Sequence, residues 1–355
     1  MAIERPVTAR CVAILACVVA LCAAWPTHAA SADAAAIGTY TGPDRQQRLV
    51  DGAKREGELT LYTSLTVEDM AVLNGAFEKK YGIKVKMWRA AADKVLQRAV
   101  TEARGGRYDV DVIELSAPAL ESLHREQLLA RIDSPHQADL IAAAVPAHRE
   151  WVGSRLNVFA QAYNTSLVSK SDLPKSYADL LDPKWKGKLG IEAADEDWFA
   201  DVVRSLGEQQ GLELFRRLVA TNGISVRKGH TLLTNMVASG EVPLALTVYN
   251  FTAEQVKQKG APLDWFVLPP AVARANGVAV AKRAPHPHAA LLYYDFMIGE
   301  DGQRILAQRD FVPASRKVDT PLNRMPLRIV DPALVLDESG KWTRLYDEII
   351  VRQAR

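Results

Sequence analysis

The sequence predicts an α/β protein built around a parallel sheet, and three observations predict it. From Glu58 onward, short strand-like runs alternate with longer helix-like ones, the order that produces βαβ units. Val110 to Leu115 reads as a buried third strand, as expected when helices cover both faces of a sheet. The chain has 355 residues, 48% hydrophobic and 24% charged, enough for about two domains at roughly 100–200 residues each.

The first element is not part of that fold. Arg5 and Arg10 form a basic start, Cys11 to Ala24 is almost wholly apolar, and Thr27-His28-Ala29 offers a small-residue cut. The apolar run is shorter than the roughly 20 residues of a membrane span. Residues 1–29 therefore read as a cleavable export signal ending near Ala29. All three cysteines, Cys11, Cys17 and Cys22, fall inside it, so the mature chain has no thiol for a disulfide, a metal or a nucleophile. Of the net charge of +2, Arg5 and Arg10 against Glu4 supply +1 and leave +1. That balance gives no reason to expect nucleic acid as a partner.

Residues 30–57 read as a tether and a first helix over Asp44 to Arg55. Leu59 and Leu61 alternate with Thr60 and Tyr62 as a strand; Met70, Leu73, Phe77 and Tyr81 follow at helical spacing. Ile83, Val85 and Met87 alternate with lysines as a second strand. Val95, Leu96, Ala99, Val100 and Ala103 line one helical face, ended by Gly105-Gly106 before the third strand at Val110. Further on, strands are expected at Asn157 to Tyr163, Ser225 to Arg227, Pro243 to Val248 and Val278 to Ala281. Helices are expected over about Trp198–Leu206, Gly211–Ala220, Thr231–Ala238, Pro287–Met297 and Gly302–Ala307. In such sheets ligands sit beyond the carboxyl ends of the strands, which points to the loops at Thr63–Thr66, Trp88–Ala90, Glu114–Ser116, Glu192–Asp197, Lys228–His230 and Tyr249–Phe251.

Motifs for catalysis are missing. The sequence has no G-x-S-x-G, no phosphate-binding glycine-lysine loop, no H-E-x-x-H and no G-x-G-x-x-G, so no catalytic residue, metal ligand or cofactor is assigned. His286 and His288 flank Pro287 and read as a helix start. Tyr293-Tyr294 lies in an amphipathic helical pattern, which predicts one ring in the core and one at the surface.

Several segments then carry a resemblance. Gly57-Glu-Leu-Thr-Leu-Tyr-Thr-Ser64, Phe77-Glu-Lys-Lys-Tyr-Gly-Ile-Lys-Val85, Leu180-Leu-Asp-Pro-Lys-Trp-Lys-Gly-Lys188, Gly240-Glu-Val-Pro-Leu-Ala245 and Asp295-Phe296 with Gly302-Gln303 resemble the type 2 periplasmic solute-binding proteins. Among these the chain is similar to extracellular solute-binding family 1, nearest the ferric-iron-binding branch. The resemblance implies two α/β lobes joined by a two-strand hinge near Asn157–Tyr163 and Gly277–Lys282. It gives lobe I as 58–157 plus 276–312 and lobe II as 158–275 plus 313–355. It also implies a monomer in the periplasm that delivers a small solute to the permease of an inner-membrane ABC transporter.

The branch's iron ligands do not carry over. Its tyrosine pair corresponds to Asn250 and Phe251, with Tyr249 just ahead; its histidine falls on Thr66 and its carboxylate on Ser116. The resemblance therefore implies a small cation-bearing or zwitterionic organic solute, with ferric uptake through an altered site as the alternative and an exported sensor or enzyme further off. Candidate ligand contacts are Ser64, Thr66, Arg89, Ser116, Asp195, Asp197, Trp198, His230, Tyr249, Asn250 and Phe251. Arg89 would grip an anionic group, Asp195 and Asp197 would face a cation, and Trp198, Tyr249 and Phe251 would offer aromatic walls. Local chemistry gives Asp195 a second reading as the N-cap of its helix.

Overall fold

A computed structural model describes residues 1 and 34–353; the export signal read over residues 1–29 lies outside the described residues, Met1 apart. Helices α1 (Ala34–Gly38) and α2 (Arg45–Glu56) precede strand β1 (Glu58–Thr63), followed by α3 (Val67–Tyr81), β2 (Lys84–Arg89), α4 (Ala92–Arg104), β3 (Val112–Ser116) and α5 (Ala117–Arg125). A long strand β4 (Trp151–Asn164) leads to β5 (Leu189–Glu192), α6 (Glu196–Ser205), α7 (Glu208–Asn222), β6 (Ser225–Arg227), α8 (His230–Ser239), β7 (Leu244–Tyr249) and α9 (Asn250–Gln258). The chain continues through β8 (Leu263–Phe266), β9 (Val272–Val280), α10 (Pro287–Ile298), α11 (Glu300–Gln308), β10 (Val312–Pro313), β11 (Arg328–Ile329), α12 (Pro332–Asp337) and α13 (Ser339–Tyr346).

The strands run in the order β2-β1-β3-β9-β4-β7-β5-β6. β1 pairs in parallel with β2 and β3, and β5 pairs in parallel with β6 and β7. Each of these βαβ sets is α/β as the alternation predicts. Between them the rule changes, because β9 is antiparallel to both β3 and β4, and β4 is antiparallel to β7.

β4 makes the first crossing. Its residues up to Val158 pair with β9, and from Phe159 onward they pair with β7 and then β8. All fourteen residues of β4 are buried, so its first half was hidden from pattern reading by Gly153-Ser154-Arg155, where a bulge interrupts the pairing. The return crossing falls at 267–271, between β8 and β9. Residues 277–280, expected at the hinge, pair instead with β3 inside the first sheet.

Helix α10 corrects a second expectation. Pro287 and every residue from Ala289 to Ile298 are buried, because α2, α11 and the first sheet cover it on several sides. Both tyrosines are therefore internal. Tyr293 donates to Asn74 at 2.7 Å, and the Tyr294 oxygen accepts from Gln137 at 2.9 Å. The neighbouring Asp295 forms a buried ion pair with Arg45. His286 and His288 do open the helix, held by Asp111 and Glu56 respectively.

Candidate functional site

Where β4 and β9 lie side by side, Arg155 faces Asn276 and Asn157 faces Arg274. The two-residue period of a strand puts all four side chains on one face. Arg155 is almost wholly buried and donates to Glu114 at 2.6 Å; Glu114 also accepts from the Thr63 hydroxyl. Arg274 donates to Asp197 at 3.0 Å. Its guanidinium carbon lies 5.3 Å from the Phe159 ring centroid and 5.6 Å from that of Tyr249. Each guanidinium is thus neutralised on one edge. Its other edge is not: Arg155 Nε, Arg274 Nε, Asn157 Oδ1 and Asn276 Oδ1 are buried without a hydrogen-bond partner among the described residues. Four such atoms on one face are costly, at about 1–3 kcal/mol each, unless something else satisfies them.

The loops after β5 and β6 form the facing wall. Glu192 ends β5, and its carboxylate accepts from the backbone N–H groups of Ala194 and Gly229. Asp195 occupies the N-cap position of α6 but makes no side-chain cap bond. Both its oxygens lie instead 3.1 Å from His230 Nε2. Burial alone would raise the Asp195 carboxyl; the His230 imidazole and the Arg274 charge outweigh it and hold it below the usual carboxylate range. Glu196 goes the other way, raised first by burial and then by Asp197 and Asp195. Burial works against the charge on Arg274, and Asp197 with Asp195 more than offsets it.

The aromatic residues form a stack that the protein fills itself. The His230 ring lies on Tyr249 at 3.9 Å and 18°, Tyr249 on Phe251 at 5.7 Å, and Phe251 against Phe311 at 4.2 Å. Buried and stacked against His230 and Phe251, Tyr249 lacks the open face expected of a cation–π wall. Trp198 is fully buried between Tyr177 and Phe215, so it belongs to the core and lines nothing. Asn250 is also internal. Its oxygen accepts from Val158 N–H at the first crossing and its amide donates to the Asp310 carbonyl, both at 3.1 Å, which leaves it pinning the crossing strand.

On the first sheet, Ser64 and Ser116 are half-buried, Ser116 opposite Asn276. Thr66 caps α3 through Asp69 N–H at 3.2 Å. Arg89 is exposed at the end of β2, its Nε 3.3 Å from the Leu65 carbonyl. The guanidiniums at the crossing strands are those of Arg155 and Arg274, which sequence reasoning missed together with Asn157, Asn276 and Glu192. A signal existed: Arg155-Leu156-Asn157 and Arg274-Ala275-Asn276 each alternate polar and apolar residues within otherwise buried strands.

Glu192, Asp195 and His230 place one ligand atom each within 4.8 Å of one another, close enough for a metal. Both oxygens of Glu192 are nevertheless held by N–H groups, and Asp195 is held by His230. A cation entering there must break those bonds.

Two α/β sheets, joined by crossing strands that carry a polar floor beneath facing walls, make this a two-lobed solute-binding architecture. The family model described as bacterial extracellular solute-binding protein matches residues 110–336, and the chain belongs to that family. Its curated relatives include iron uptake protein A1 of Synechocystis, 25% identical with 82% of this chain and 89% of that protein covered. The major ferric iron-binding protein of Neisseria meningitidis is likewise 25% identical, covering 82% and 92%. Among solved structures, iron-bound HitA from Pseudomonas aeruginosa aligns with a TM-score of 0.72 at 25% identity over 82% of this chain and 99% of its own. AfuA from Actinobacillus pleuropneumoniae, with fructose-6-phosphate bound, shares the fold at a TM-score of 0.72 and 20% identity, over 83% and 99%.

Proposed function

We propose that the chain is the periplasmic receptor of an ABC importer and captures a small zwitterionic organic solute between its two lobes for delivery to the permease. The observation that carries the reading is the set of four unpartnered buried atoms on the floor, two guanidinium donors and two amide oxygens. A ligand that satisfies them must both accept and donate. Its anionic group would take the free edges of Arg155 and Arg274, where charge-assisted bonds are shorter and stronger than neutral ones. Its cationic group would meet the amide oxygens and the carboxylates of the second wall. A bare anion is disfavoured because Glu114, Asp195 and Asp197 stand beside the two arginines. A bare cation is disfavoured because those same carboxylates already hold Arg155, His230 and Arg274. The reading includes no catalysis.

Ferric iron is the competing cargo, favoured by the relatives' names and opposed by a single phenol at Tyr249. A thermal-shift panel separates the two. It should contain α- and ω-amino acids, short diamines, aminophosphonates, sugar phosphates, and ferric citrate. A saturating zwitterion at about 100 times its Kd adds about 2.7 kcal/mol of stability, a rise of about 4 °C in Tm at this size. Stabilisation by ferric citrate alone would reject the reading.

A further inference from the structure

We infer that Glu192 is the positioning residue that holds both loops of the second wall in register, and that the C-terminal helix α13 reaches it through Tyr346. The inference rests on reading the cleft between the sheets as the binding site.

Glu192 is 4% exposed, and all of its polar groups are engaged. Its N–H donates to Thr247 Oγ1 on β7 at 3.0 Å. One carboxylate oxygen accepts from Gly229 N–H at 2.8 Å and the other from Ala194 N–H. Its carbonyl accepts from the Tyr346 hydroxyl. One residue thus ties together β5, β7, the loop before α6, the loop before α8, and α13. The two amides it holds are the immediate neighbours of the residues that matter: Ala194 precedes Asp195, and Gly229 precedes His230. The spacing between Asp195 and His230 is therefore set by one carboxylate that spans both loops.

Gly229 fits this role for a conformational reason. Its φ is 109°, a region side-chain-bearing residues avoid, while a Cβ there would meet no atom within 4 Å. The glycine serves the backbone turn that aims its N–H at Glu192. The charge on Glu192 makes both acceptances charge-assisted, which a glutamine could not reproduce, since its amide nitrogen would face one of the donors. Both oxygens being occupied also argues that Glu192 serves as a clamp and not as a metal ligand.

Tyr346 supplies the outer support. Its ring packs edge-on against Phe199 at 5.4 Å, and the residue is 2% exposed. Burial first, and then the nearby charges of Asp195 and Glu192, raise its phenol far above the ordinary range. It remains a hydrogen-bond donor throughout the working pH range. A helix contributed by the last residues of the chain thereby holds the back of a loop whose front faces the cleft.

Two variants test this without any solute. Tyr346→Phe keeps the packing ring and deletes one donor; Glu192→Gln keeps the volume and deletes the charge. Hydrogen exchange should accelerate about tenfold or more at Ala194 and Gly229 in both, with α7 amides such as Leu218 still protected. The His230 ring protons, shielded by the Tyr249 face, should move toward their solvent values in side-chain NMR spectra. Exchange unchanged at Ala194 and Gly229, or accelerated uniformly across the chain, would overturn the assignment. If Glu192→Gln fails to fold, Tyr346→Phe decides alone. Neither readout depends on which solute binds, so an empty solute screen and a failed clamp remain separate results.

Discussion

Replacing Arg274 by Met removes a charge from between two carboxylates, and its cost can be worked from the geometry. Asp197 is 5% exposed and Arg274 17% on their side chains, so the pair is screened little by water. Breaking a buried pair by removing one partner costs about 3–5 kcal/mol, because the other charge is left uncompensated. The partial exposure of the arginine puts the expected loss at the lower end, about 3 kcal/mol, with up to about 1 kcal/mol more from the contacts over Phe159 and Tyr249. Urea denaturation near pH 7 reads the loss directly. The double variant Arg274→Met with Asp197→Asn should recover about 2 kcal/mol of it, since a neutral amide no longer needs a counter-charge. A loss below about 1 kcal/mol, or a double variant no better than the single, would refute the claim that Arg274 and Asp197 act as a buried pair.

Three further outcomes are expected. The carboxyl of Asp195 is depressed by its partners; its contribution is therefore complete above the unfolded value of about 3.9 and disappears as pH falls through the lower folded value. Asp195→Asn should flatten that part of the acid limb in urea titrations, and an unchanged limb would show that His230 does not hold it. Trp198→Ala should cost about 3–5 kcal/mol of stability as a core truncation, whereas a cleft-wall residue would cost little stability and much affinity; denaturation beside solute titration tells them apart. Ferric citrate should give no visible tyrosinate band with the purified protein, and a band that disappears in Tyr249→Phe would restore the iron reading.

Much of this was legible because it is local. Strands β1, β2 and β3 and the helices between them follow from two- and 3.6-residue periodicities that need no partner to be seen. The loops at the strand ends also follow from topology, which is how His230 and the segment around Asp195 came into view. What was hidden depends on distant residues. The cap reading of Asp195 is a short-range rule, overruled by His230 thirty-five positions on. Arg155 and Arg274 look like interruptions of apolar strands until Glu114 and Asp197 are brought to them, 41 and 77 residues away. The two tyrosines of α10 were misjudged because a helix covered on several sides has no polar face for its pattern to betray.

The central claim is that the floor of Arg155, Asn157, Arg274 and Asn276 receives a small zwitterion. The most direct measurement is native mass spectrometry of the exported protein, with the released solute identified after unfolding, for wild type and for Arg155→Met and Arg274→Met. One bound organic zwitterion is expected in the wild type, and its loss in both variants while they remain folded. Iron as the co-purifying species, or a solute retained undiminished in both variants, would contradict it.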